Sequence, residues 1–140
     1  MIIYCAGPIR GDKQYQSFYK EIIKYVNSLG HTALSEFNEK FRSTIPLNEG
    51  QIFKRDIKWM ESSKFVIAET TSSSTGVGFE IAYSLYNLNK PVLALAKNGE
   101  NTVSAMVSGC NSEILTVKTY SSSEEMKKII TQYINDLDGK

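Results

Sequence analysis

Two acidic side chains stand against the pattern around them. Asp56 lies within the apolar stripe Ile52, Phe53, Ile57 and Met60 of a helical segment, three residues after Phe53 and four before Met60. That spacing puts it on the apolar face rather than the wet one. A carboxyl half-buried at a pocket wall loses hydration, which raises its pKa and lets it hold a proton near neutrality. The alternative is a helix-edge acid paired with a lysine or arginine. Glu80 follows Gly76-Val77-Gly78 in the first turns of another helical segment. The helix dipole there favours an ionised carboxylate, and dipole compensation alone would also account for an acid at that place. If one carboxyl is kept protonated and the other charged, the pair meets the requirement for breaking a glycosidic bond. One acid protonates the leaving group, and one carboxylate attacks or supports the anomeric carbon.

Ser72-Ser73-Ser74-Thr75-Gly76-Val77-Gly78 joins hydroxyls and small residues to a helix start. Such a turn suits an anion, phosphate first; the alternative is a flexible polar loop with a capping hydroxyl. Gly76 and Gly78 leave backbone N–H groups open to close approach. The segment is not a dinucleotide fingerprint, because Ile81 stands at the third glycine of GxGxxG and the first strand is followed by Gly7-Pro8-Ile9-Arg10-Gly11. No Walker A sequence is present. Arg10 could meet a phosphate or form a surface ion pair. Tyr4, in the first apolar run, suits a core position with its hydroxyl satisfied at the sheet edge. His31 follows Gly30 as a turn residue with no expected catalytic role. Cys5 and Cys110 have no evident base partner, and one histidine with two scattered cysteines argues against a structural zinc site.

These residues are positioned by alternating strands and helices. Apolar runs at 2–6, 31–34, 64–68, 92–96 and 114–117 read as strands. Helical stripes run through Phe18, Ile22, Val26 and Leu29, from Asn48 to about Ser62, from Gly76 to Asn89, and from Ser122 through Leu137. Asn48 with Gln51, and Ser122 with Glu125, have capping-box spacing. Residues 36–48 read as loop. The alternation predicts a single α/β domain over residues 1–140: a flavodoxin-like, Rossmann-like parallel sheet of five strands with helices on both faces. Ligands of such sheets sit beyond the carboxyl ends of the strands, here in the loops beginning at Gly7, Glu36, Glu69 and Lys97.

Composition narrows the partners. The 140 residues carry 16 basic and 15 acidic side chains, a net charge of +1. That gives no field to draw in a nucleic-acid polymer or an anionic membrane. No apolar run approaches a membrane span and no signal peptide opens the chain, so a cytoplasmic setting with free thiols is expected.

The segments Tyr4-Cys5-Ala6-Gly7-Pro8-Ile9-Arg10-Gly11, Arg55-Asp56-Ile57-Lys58-Trp59, Ala68-Glu69, Ser74-Thr75-Gly76-Val77-Gly78-Phe79-Glu80-Ile81 and Ser104-Ala105-Met106 follow one another along the chain. In this it resembles the 2′-deoxynucleoside 5′-phosphate N-hydrolases of the nucleoside 2-deoxyribosyltransferase superfamily. The resemblance implies that Glu80 is the nucleophile at C1′, that Asp56 protonates the departing base, and that Tyr4 orients Glu80. It implies substrate contacts by Gly7 to Gly11, Ser74, Gly76 and Gly78, with Ser74, Gly76 and Arg10 on the phosphate. It also implies a homodimer in which Ser104, Ala105 and Met106 complete the partner's site, with a deoxynucleoside monophosphate as substrate and no metal or cofactor. Phe37 and Asp12 depart from the pattern of the mammalian members, in ways that bear on the base. A base-exchanging deoxyribosyltransferase and a non-catalytic nucleotide-binding module are the competing expectations.

Overall fold

Parity along the strands decides which residues meet. A computed structural model describes residues 1–10, 14–99 and 103–139. In strand β1 (Ile2–Ala6), Ile3 and Cys5 join one apolar cluster and Tyr4 and Ala6 join another. Helices α1 (Gln16–Ser28) and α5 (Ser123–Asp138) cover the first cluster through residues such as Ile22, Val26, Met126 and Ile130. Helices α2 (Glu49–Ser62) and α3 (Thr75–Ala82) cover the second through Met60, Val77 and Ile81. Burying one such side chain contributes roughly 1.5–3 kcal/mol, so a strand with two apolar faces is held from both sides.

The other strands are β2 (Thr32–Leu34), β3 (Phe65–Glu69), β4 (Val92–Lys97) and β5 (Leu115–Tyr120). All pairs are parallel, in the order β2-β1-β3-β4-β5. This is the expected doubly wound arrangement, and β1 lies at its switch point between β2 and β3. The fifth strand runs three residues further than its apolar run suggests, because Lys118, Thr119 and Tyr120 continue the ladder beside β4.

Local signals set the helix ends. The Asn48 side chain accepts from the Gln51 amide at 2.8 Å, and the Gln51 side chain accepts from the Asn48 amide at 2.9 Å, the expected capping box. At α5 the Ser122 hydroxyl caps the Glu125 amide, but Glu125 reaches back to the Ser121 amide rather than that of Ser122. The helix expected from Gly76 to Asn89 is interrupted. After Ala82 it widens into a π-helical turn, Tyr83–Asn87, and ends at Asn89 with a left-handed φ of 52°. Lys90 then places its ammonium on the carbonyls of Met60, Glu61 and Ser63, which fixes the end of α2. Two short elements were not foreseen: a 3-10 turn at Glu39–Phe41 and helix α4 (Ala105–Ser108).

Candidate active site

The even parity of Tyr4 sends its ring toward α2 and α3, and both acids come to it there. Its hydroxyl donates to Glu80 Oε2, and the Asp56 carboxyl lies close enough for its charge to act on the phenol. Asp56 and Glu80 line one cavity of about 830 Å³, shared with Gly7, Ile9, Arg10 and the Ser73–Val77 turn. Three expected catalytic side chains, from a strand and two helices, therefore meet at the carboxyl end of the sheet.

The electrostatics differ from expectation at one of the acids. Burial raises the pKa of Asp56, as expected, and the neighbouring Arg55 opposes the rise. Arg55 Nε donates to Asp56 Oδ1 at 2.9 Å, so the pocket-wall acid and the paired acid are the same residue. Glu80 was expected to be held charged by the helix start. It lies in the second turn instead, since Ser74 is the cap and α3 begins at Thr75. The dipole fades within the first turn, and burial dominates. Burial first, with the charge of Asp56 adding to it, lifts Glu80 to about 7 against the Tyr4 hydrogen bond. Burial and then Glu80 keep the Tyr4 phenol well above its ordinary range, so it stays a donor. Both carboxyls thus lean toward protonation, and the pair can hold one proton between them near neutrality.

The anion end is built from the turn into α3. Ser74 Oγ accepts from the Val77 amide at 3.2 Å and caps the helix. A Cβ on Gly76 would stand 3.8 Å from Glu80 Oε1 and 4.0 Å from Ser74 Oγ, so glycine keeps the space between hydroxyl and carboxyl open. Gly7 is needed for a different reason: a Cβ there would lie 2.3 Å from the Tyr19 ring. Tyr19 is held by hydrogen bonds of 2.6 Å to the Cys5 carbonyl and the Ser35 hydroxyl. Arg10 is exposed at the cavity wall and makes no ion pair among the described residues. Pro8 is buried behind the wall, and its carbonyl accepts from Gln16 at 3.1 Å. Gly11 and Asp12 lie outside the described residues.

Gly78 lies apart from Gly76. Its amide is used within the helix, donating to the Ser74 carbonyl at 3.2 Å, and it faces a second cavity of about 780 Å³ on the other side of the serine turn. Ser104, Ala105 and Met106 line that second cavity rather than the one holding Glu80. Ser104 caps α4, and Met106 stands 85% exposed. His31 lies away from both, bonded to the amino terminus at 2.8 Å.

Three residues gain a place the sequence did not assign. Arg55 lies over the Trp59 ring, 4.6 Å from its centroid, and faces Glu36 as well as Asp56. Glu69, fully buried, accepts from the Thr71 amide and the Tyr120 hydroxyl, each at 2.6 Å. Thr71 Oγ1 in turn accepts from the Lys97 amide at 2.8 Å, so this buried carboxyl anchors the start of the serine turn. Among the described residues no group of three or more His, Cys, Asp or Glu is arranged to hold a metal ion. Nor is any described helix long and apolar enough to cross a membrane.

Comparison with known proteins agrees with this fold. The family model for nucleoside 2-deoxyribosyltransferase matches residues 3–132. The 5-hydroxymethyl-dUMP N-hydrolase of Esox lucius is 31% identical over 144 aligned positions, covering 98% of each chain. Two solved structures share the fold. The CMP N-glycosidase of Clostridium botulinum superposes with a TM-score of 0.69 at 16% identity, covering 94% of this chain and 98% of that one. The 2-deoxyribosyltransferase of Bacillus psychrosaccharolyticus gives 0.66 at 21% identity, covering 89% of each. With that model spanning nearly the whole sequence, the chain belongs to the nucleoside 2-deoxyribosyltransferase family.

Proposed function

We propose that the protein hydrolyses the N-glycosidic bond of 2′-deoxynucleoside 5′-monophosphates, releasing the free base and 2-deoxyribose 5-phosphate. The observation that carries this is Glu80, held by the Tyr4 hydroxyl, and Asp56 lining one cavity whose other wall is a serine-capped helix start. Ionised Glu80 attacks C1′ while protonated Asp56 gives its proton to the departing base nitrogen, leaving a glycosyl-enzyme ester. The carboxylate left on Asp56 then takes a proton from water. The hydroxide equivalent adds to C1′, and Glu80 leaves with its electron pair. Tyr4 aims the Glu80 oxygen, and its hydrogen bond favours the charged form. Ser74, the Gly76 backbone and Arg10 take the phosphate, with Gly7, Pro8, Ile9 and Gly11 shaping the near wall. The names of the relatives support a nucleotide substrate.

Ser104, Ala105 and Met106 are exposed, which supports a homodimer in which they reach the partner's site. Mixing Glu80→Gln subunits with Met106→Asp subunits then restores activity that neither variant has alone. A cytoplasmic setting fits the chain's free cysteines.

The deciding assay supplies deoxynucleosides and their monophosphates, with and without a free acceptor base, and follows base release by chromatography. Release from monophosphates without an acceptor is the expected result. Turnover of unphosphorylated nucleosides alone, with exchange dominating, assigns a transferase instead. No release from either class, with binding unaffected by Glu80→Ala, leaves a binding module.

A further inference from the structure

Strand order gives the cavity two ends. The serine turn follows β3 on one side of β1, and Glu36 follows β2 on the other. Asp56 and Glu80 stand between these two loops and line the same cavity as Glu36. The Glu36 carboxylate is 28% exposed, and Arg55 Nη2 lies 3.6 Å from its Oε2, beyond hydrogen-bond length. Among the described residues no group donates a hydrogen bond to Glu36. Its charge is nevertheless felt at Glu80 across the cavity. The adjacent Phe37 packs instead against Tyr19, with ring centroids 5.5 Å apart, and does not line this cavity.

A nucleotide with its phosphate on the serine turn and C1′ at Glu80 extends its base past Asp56 toward the β2 end. A carboxylate there that lacks a protein donor accepts from a ligand. We infer that Glu36 is a specificity-determining residue that takes a hydrogen bond from a donor on the base edge, with Arg55 holding the carboxylate in place. The donor is a ring N–H, an exocyclic amino group or a hydroxyl on a base substituent. A carboxylate also repels carbonyl lone pairs, so the same group selects against bases that turn only acceptors toward it. This inference rests on the nucleotide hydrolase assignment above.

The test pairs substrates that differ by one donor: dUMP with 3-methyl-dUMP, dCMP with N4,N4-dimethyl-dCMP, and 5-hydroxymethyl-dUMP with dTMP. The kcat/KM ratio within each pair is measured for the wild type and for Glu36→Leu. In the wild type at least one pair differs tenfold or more, about 1.4 kcal/mol. In Glu36→Leu that ratio shrinks to within about twofold, as a direct contact requires. A steric cost of the added methyls, or a general effect on Asp56 through Arg55, leaves the ratio between wild type and variant unchanged. The pair that responds identifies the donor. Glu36→Gln keeps an acceptor oxygen and retains more of the ratio than leucine does. Should the leucine variant fail to fold, Glu36→Ala reads the same ratios. Cleavage with every ratio indifferent to residue 36 overturns the inference and leaves the hydrolase assignment standing. No cleavage of any of the six nucleotides by the wild type overturns both.

Discussion

Tyr4 and Glu80 are joined by a hydrogen bond across 76 positions of sequence. The strand residue is the donor, and its own environment keeps it from giving up the proton. The bond therefore acts in one direction, stabilising the charged form of Glu80 against the burial that opposes it.

Removing that donor should move a titration. In the proposed mechanism the productive form carries one proton on the Asp56–Glu80 pair, so kcat/KM against pH is expected to be bell-shaped, with limbs that belong to the pair. One limb is expected near pH 7, where burial has lifted Glu80. In Tyr4→Phe that limb shifts to higher pH and the maximal rate falls about tenfold to a hundredfold, part of the effect expected of a lost active-site hydrogen bond. A pH–rate profile with its limbs unmoved would remove Tyr4 from this role.

Glu80→Gln should abolish base release while nucleotide still binds, and it should also reveal the burial in a melting curve. The folded pKa of about 7 lies above the ordinary glutamate value of 4.5. The folded protein therefore holds this proton more tightly than the unfolded chain does, and the contribution to stability is lost as pH rises from about 4.5 through 7. The glutamine variant has no such loss. Its melting temperature is expected to exceed that of the wild type at pH 8, with the gap closing toward pH 4. A gap of the same size at both pH values contradicts the assignment.

Asp56→Asn keeps the shape of the acid and removes its proton. Base release should slow by roughly 10²–10⁴-fold, the usual range for general acid catalysis. Poor leaving groups should lose most. A series of substituted bases gives the dependence on leaving-group pKa, and equal slowing across the series would exclude proton donation.

Tyr120→Phe tests the buried anchor beneath the serine turn. Glu69 would lose its Tyr120 donor in a site without water access, at a cost of about 1–3 kcal/mol. Urea denaturation reads that cost. Because Glu69 holds Thr71, KM for the monophosphate should rise more than kcat falls. A change confined to stability would limit the network to structure.

The fold was legible because its signals are local and repeated. Continuous apolar runs marked the strands, and Asn48 with Gln51 announced the start of α2 three residues apart. Asp56 could be placed because an acid in an apolar stripe breaks a period. The state of Glu80 could not be read in the same way. Its pKa depends on burial in the folded chain, and α3 starts at Thr75, more than one turn before it. The direction of Gly78 turned on helix phase, which set it toward the second cavity while Gly76 faced the first. Glu36 and Glu69 stood at strand ends where acids are common, and only their neighbours across the sheet distinguish them. The π-helical turn after Ala82 left no mark in the apolar spacing.

The alternation in β1 has a consequence for how the sequence can change. A one-residue insertion or deletion ahead of Tyr4 that shifts the strand against its neighbours would exchange its two sides, turning the phenol into the α1–α5 layer and bringing an aliphatic chain to the acids. Point substitutions in this strand can be graded by size and shape, but changes in its length cannot. Tolerance to indels should therefore fall sharply from residue 2 onward.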